Sequence, residues 1–382
     1  MTSETVKHRD VILHGFCAPK YEGLRDAFMR NFVDLGEVGG SYTVVIGGEV
    51  VADLWGGRLA QEGEAGWERD TIVGIWSASK GLGATCFAML VDRGLASYDD
   101  KVSRYWPEFG EAGKEDVTIG MLLSHQSGIT GFATPATLED LLSGEIAAAR
   151  LIKQPPLWPL GSASGYSNVV GIFSTSLFQR IEGRSLRQFV KDELKGVFGL
   201  DISIGLEPED KPRLADLMGF EAIDAVALLG ATNEAQRHLH NPPMTGDLPN
   251  KQGFQDADIV AANGYGNARG LAKLYAMLLP AGLAGRRLIQ DSALAEATRV
   301  WFDGIDMIRG MPRPWGAGYM LNHGGIWGPN REAFGHGGWG GAFGYADPVA
   351  GVAAGYAMNF MDKEVDTNPR RRNLIDSIYT VL

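Results

Sequence analysis

The chain has 382 residues, 45% of them apolar, with a net charge of −11. That is enough apolar material for a large core and for two structural lobes, while the acidic balance argues against nucleic acid or an anionic membrane surface as a main partner. Two cysteines, Cys17 and Cys86, lie far apart with no C-x-x-C pair, so neither a disulfide framework nor a zinc site is indicated. The first residues, MTSETVKHRDVILHGF, show no apolar run ending in a cleavage site, and no apolar stretch is long enough to span a bilayer. The expected location is therefore the cytoplasm.

In chain order, residues 23–35 carry apolar side chains at helical spacing and predict a helix. Residues 41–57 hold two β-branched runs split by Gly47-Gly48, a hairpin pattern. From Ser77 to Gly94 the chain predicts a helix, and residues 117–128 a short one stopped at a Ser-Gly turn. Residues 137–153 and 169–194 are again helical in pattern. Residues 205–262, rich in Pro, Asp, Asn and Gly, form a long irregular segment of the kind used as a lid or wall. An amphipathic helix is expected over 266–279, adjacent antiparallel strands over 333–348 and 351–360 around an Asp-Pro turn, and a final helix over 370–382. Strands at both ends and helices between them predict an α+β fold. In it, an antiparallel sheet flanked by helices is closed by both termini, with a helical lobe inserted. The expected units are residues 1–105 with 265–382, and a mainly helical 106–264.

The stretch GIWSASKGLG, residues 74–83, carries the first chemical signal. On a helix i and i+3 share a face, so Lys80 stands beside Ser77. A serine hydroxyl is nearly unreactive without a base, and a partly buried lysine can lose its charge and become one. A serine at a helix start also places its own N–H where an oxyanion can be held. Alone the pattern is weak, since Ser is a common helix cap and Lys a common helix residue. Two further elements strengthen it. GYSN sets Tyr166, Ser167 and Asn168 ahead of an apolar helix; a phenol near an ammonium could relay a proton, and an Asn could meet the lysine or a substrate carbonyl. HGGW places His336, Gly337, Gly338 and Trp339 on a strand, where the glycines permit close approach and the Trp339 N–H could face an oxyanion.

These three elements, in this order, resemble the signature of the serine beta-lactamase and penicillin-binding protein superfamily. LLSHQSGI (122–129), LGSASGYSN (160–168), AANGYGNARGLAKLY (261–275) and FGHGGWGGAFGYADP (334–348) resemble the family VIII carboxylesterases of its class C branch. The resemblance runs from about Val45 to about Phe360. It implies a beta-lactamase/transpeptidase-like fold with the site between its two units. It implies Ser77 as acylated nucleophile, Lys80 and Tyr166 as general base and acid, and Asn168 steadying Lys80 or the substrate. The N–H groups of Ser77 and Trp339 would form the oxyanion hole. His336, Gly337 and Gly338 would contact substrate in place of the Lys-Thr/Ser-Gly of lactamases. That departure removes a cation and a hydroxyl, so a small neutral short-chain ester is expected to fit better than a beta-lactam carboxylate. No metal or cofactor is needed; a homo-oligomer is allowed. Trp158, Trp315, Trp339 and Phe343 are candidates for walls of an acyl pocket.

A beta-lactamase, D-amino-acid peptidase or acyltransferase on the same scaffold is the alternative, and a non-catalytic binder a third. No G-x-S-x-G occurs, so an α/β-hydrolase elbow is excluded. RHLH, residues 237–240, reads as a solvated loop, His125 as a structural hydrogen-bonding residue, and Cys86 as core.

Overall fold

The computed structural model describes residues 4–8, 11–219, 232–363 and 367–382. The strands are β1 (Glu4–His8), β2 (Val11–Cys17), β3 (Gly39–Ile46), β4 (Glu49–Gly57), β5 (Val73–Trp76), β6 (Ile202–Ile204) and β7 (Gly264–Gly266). They continue with β8 (Ile305–Asp306), β9 (Met311–Pro312), β10 (Met320–Leu321), β11 (Phe334–Gly337), β12 (Phe343–Asp347) and β13 (Val352–Met358). An eight-stranded antiparallel sheet has the order β1-β2-β4-β3-β13-β12-β11-β10. Its centre joins the two ends of the chain: β3 pairs directly with β13, Tyr42 opposite Tyr356.

Alternation along β3 explains the layers. The Tyr42 hydroxyl donates to the Leu374 carbonyl on one face, while the hydroxyl of its neighbour Ser41 accepts the Ala268 N–H on the other. The first face is covered by helix α1 (Glu22–Asp34) and the C-terminal helix Pro369–Val381; the second by helix Ala268–Ala276, across β3, β12 and β13. That crossing is close enough that a Cβ on Gly355 would stand 2.3 Å from the Ala268 carbonyl oxygen. Under the first face, buried Arg370 pairs with buried Glu37 at 2.9 Å, and the Tyr356 hydroxyl also donates to Glu37. Burial pushes the Glu37 carboxyl up, and the Arg370 guanidinium opposes it.

A second sheet of three antiparallel strands, β5-β7-β6, and a short β8–β9 hairpin lie outside the large one. Helix α2 is Ser79–Asp92 and helix α3 Val169–Glu182.

The hairpin over 41–57 is present, with Gly47 and Gly48 both at positive φ as its two-residue turn requires. Elsewhere the boundaries differ from expectation. Residues 333–348 are two strands, not one, because Gly340 and Gly341 adopt positive φ and turn the chain back. The Asp347-Pro348 turn is held by Asp347, whose carboxylate accepts the N–H groups of Val349 and Ala350. Residues 137–153 split into Leu138–Leu142 and Gly144–Leu151, and 169–194 breaks at Gly183 (φ 95°) before the next turns. Residues 205–262 are less irregular than expected, holding short helices at Glu234–Leu239 and Gln252–Asp256; residues 220–231 lie outside the described ones. β1, β2 and β5 had no clear alternation to announce them. Among the described residues no helix is long and apolar enough to cross a membrane, and no cluster of three or more His, Cys, Asp or Glu could hold a metal.

Candidate active site

Ser77 sits in the turn between β5 and α2, two residues ahead of the first helical residue rather than at the helix start. Trp76 reaches positive φ (47°) at this bend. The Lys80 N–H donates to the Ser77 carbonyl at 3.0 Å, a tight turn that sets the two side chains side by side. Lys80 Nζ donates to Ser77 Oγ at 3.0 Å, to Asn168 Oδ1 at 3.0 Å and to the Ala261 carbonyl at 2.8 Å. Those three acceptors match the three donors of the ammonium form; the neutral amine donates to two of them and has a lone pair left for the Ser77 hydroxyl proton. The side chain is buried, and desolvation, followed by the charge of Arg309, holds its pKa well below the ordinary lysine value. A lysine in that state is an amine available as a base.

Tyr166 closes the group. Its ring lies flat on Trp315 (centroids 5.5 Å apart, planes within 6°), and Lys80 Nζ stands 4.7 Å from its ring centroid. The Ser77 hydroxyl lies near enough to the phenol to favour its ionised form. Burial raises its pKa above the usual tyrosine value, with Ser77, Arg309 and Arg313 opposing. Both shifts favour the uncharged forms, amine and phenol, over the ammonium–phenolate pair that the residue types alone allow. Asn168 precedes α3 and is held there by Lys80.

The end of β11 runs beside the Ser77 turn. A Cβ on Gly338 would stand 2.2 Å from the Ile75 carbonyl oxygen, so only glycine lets the two backbones meet. This close approach sets Trp339 near the Ser77 turn, and both residues line the same cleft. Gly337, Gly338 and Trp339 all line the cleft that opens over Ser77, together with Tyr166 and Asn168.

His336 does not line it. The ring is fully buried behind Tyr166 and Trp315, with Nδ1 2.8 Å from the Gly337 carbonyl. Desolvation, then the charge of Lys80, pulls its pKa down to about 3. The imidazole is neutral, so Nδ1–H donates to that carbonyl and Nε2 is left as a buried acceptor. Strand alternation explains the misplacement: with Gly337 in the cleft, its neighbour faces the other way. His125, also buried, packs its ring against Tyr166 and Trp315, and its Nδ1 accepts the Ser167 N–H at 3.4 Å.

Of the four candidate aromatic walls only Trp339 reaches the cleft. Trp315 lies behind Tyr166, Phe343 is in the sheet core against Trp327 and Tyr356, and Trp158 does not line the cleft. RHLH is not a solvated loop: Leu239 and His240 form part of the wall, beside Pro242 and Met244. Cys86 is fully buried on α2, and both cysteines are free thiols.

Sequence reasoning missed three cationic groups. Arg309, Arg313 and Arg371 all border the cleft, and among the described residues no acidic side chain does. Arg371 follows Asn368, which caps the C-terminal helix by accepting its N–H; the cap was readable, but not which way the side chain points. It missed Asp306 too, whose carboxylate accepts the Tyr166 N–H at 3.0 Å.

The beta-lactamase family profile matches residues 25–377. Esterase/beta-lactamase LipL of Mycobacterium tuberculosis is 30% identical over 94% of this chain and 88% of that protein. The crystal structure of a family VIII carboxylesterase superposes with a TM-score of 0.91 at 37% identity, covering 97% of this chain and all of the other. A penicillin-binding protein homologue from Caulobacter crescentus gives 0.86 at 34% identity over 97% of this chain and 100% of its own. The chain belongs to the beta-lactamase family and has its beta-lactamase/transpeptidase-like fold.

Proposed function

We propose that this protein is a serine carboxylesterase that cleaves small short-chain esters through an acyl-enzyme on Ser77. The observation that carries the reading is the contact of a buried Lys80 amine with Ser77 Oγ at 3.0 Å. The cleft lies between the unit of residues 1–105 with 265–382 and that of 106–264. Lys80 takes the Ser77 proton as Oγ attacks the ester carbonyl. The Ser77 and Trp339 N–H groups hold the oxyanion, and Tyr166 gives the alcohol its proton as the C–O bond breaks. A water molecule then loses a proton to the same pair and attacks the acyl carbonyl; the bond to Ser77 Oγ breaks as Lys80 returns a proton to it, releasing the acid and free Ser77. Asn168 keeps Lys80 aimed. Gly337 and Gly338 flank the substrate, and His336 supports Tyr166 from behind without touching the ester. No metal or cofactor enters these steps. A cavity of about 160 Å³ over Ser77 has room for a small substrate.

A second reading, hydrolysis of substrates bearing a carboxylate, including beta-lactams, is favoured by the three guanidinium groups at the cleft. The test is turnover of p-nitrophenyl butyrate against nitrocefin, with fluorophosphonate labelling of the parent and of Ser77→Ala. Faster ester cleavage, and labelling lost in the variant, are expected. Faster nitrocefin cleavage would overturn the ester preference, and labelling that persists in Ser77→Ala would remove Ser77 from the chemistry.

A further inference from the structure

We propose that Asp306 is a positioning residue for this site: its buried carboxylate locks the Tyr166 backbone and the cleft wall into one arrangement. The proposal rests on the reading that Tyr166 serves the reaction at Ser77. Asp306 is wholly buried at the end of β8. One carboxylate oxygen accepts the Tyr166 N–H at 3.0 Å and the Ser164 hydroxyl at 3.1 Å; the other accepts the N–H groups of Ile308 and Arg309 at 3.0 and 3.1 Å. A buried carboxylate is stabilised when its lone pairs are filled in this way, and each donor would be stranded without it. The main chain reinforces the link, the Met307 N–H donating to the Ser164 carbonyl at 2.8 Å.

The far side of the same hairpin seats the wall. Asn233 Nδ2 donates to the Met307 carbonyl and Gln236 Nε2 to the Ile308 carbonyl, both at 2.9 Å. These bonds hold helix Glu234–Leu239, which delivers Leu239 and His240 to the cleft. One carboxylate thereby joins the proton-transfer phenol to the surface that meets the substrate. Ring stacking on Trp315 sets the plane of Tyr166, whereas Asp306 sets where its backbone starts.

The test is the Asp306→Asn variant, which keeps the side-chain shape but turns one acceptor into a donor facing donors. Below its melting temperature it should lose about 10²-fold in kcat on p-nitrophenyl butyrate, with KM within about threefold, as misplacement of a reacting group does. Fluorophosphonate labelling of Ser77 should slow by a similar factor. The alkaline limb of the kcat profile should move to lower pH, because a negative charge near the phenol is removed. The groups facing that phenol are Lys80, Arg309, Arg313, His125 and His336 besides Asp306. A purely structural role would lower the melting temperature and leave kcat and the profile of the folded protein within twofold, which would overturn the proposal. Ser164→Ala, which removes one hydroxyl donor from the same oxygen but leaves its charge, should lose about fivefold in kcat with the alkaline limb in place; no change in kcat there would also overturn it. If Tyr166→Phe is crippled while Asp306→Asn is normal, this inference alone fails. If Tyr166→Phe is fully active, the assignment of Tyr166 fails with it.

Discussion

The two sides of the site are assembled in different ways. Ser77 and Lys80 come from one strand-turn-helix, three residues apart, and their contact follows from the pitch of the backbone. Tyr166, Asn168 and the cleft wall come from loops near residues 125, 164–168 and 305–309, interlocked by hydrogen bonds that span 74 to 140 residues. On the first side, a change should remove chemistry and spare the fold. On the second, a change should leave every reacting group present but displaced.

The largest effect tests the first side. Ser77→Ala should lower kcat by at least about 10⁴-fold on p-nitrophenyl butyrate, with a melting temperature unchanged within error. Unaltered turnover would dissolve the contrast altogether. Lys80→Met should cost about 10³-fold, and it should also stabilise the protein. The sign follows from linkage. The folded-state pKa of Lys80 lies below its unfolded value, so the folded chain holds fewer protons between the two, and stability rises with pH across that window. Removing the amine lifts this burden, so calorimetry at pH 7 should show a higher melting temperature and a weaker rise toward pH 10. Activity of the parent should fall as pH drops through the depressed Lys80 pKa. His336 adds an acid-side counterpart. With a folded-state pKa of about 3 against an ordinary 6.5, it erodes stability as pH falls from 6.5 toward 3, and His336→Gln should flatten that slope.

Gly338→Ala sharpens the comparison at the seam. Its Cβ would press on the Ile75 carbonyl and push the Trp339 N–H away from the Ser77 turn, for a loss of about 10² in kcat measured at saturating ester. The smallest effect belongs to the cationic lining of the cleft. Arg371→Ala should raise KM about tenfold for a substrate carrying a carboxylate and change it less than twofold for a neutral ester. Equal changes for both would remove Arg371 from substrate selection.

The same division decides what was legible. Ser77 and Lys80 could be paired from their spacing, and Tyr166 and Asn168 from the order of motifs. The hairpin over residues 41–57 announced itself through its glycines. His336 was misjudged because a motif names residues without saying which face of a strand each takes, and its neighbour Gly337 holds the cleft side. Asp306, Arg309 and Arg313 carry no periodic or motif signal. They matter only because the β8–β9 hairpin folds back on residues 164–166, a contact across some 140 residues. The break of the 169–194 helix at Gly183 was written in the sequence but outweighed by the apolar pattern around it.

The pairing of β3 with β13 has a consequence for how the molecule comes into being. Ile46 meets Val352, so the central sheet cannot close until a ribosome has made some 300 residues beyond β3. The β11 end that would complete the oxyanion site is a late arrival as well, nearly 260 residues after Ser77. A nascent chain therefore carries the proposed nucleophile long before it can use it. Hydrolytic power should switch on only after β11 and β13 have been made, at the slow pace that long-range strand pairing imposes.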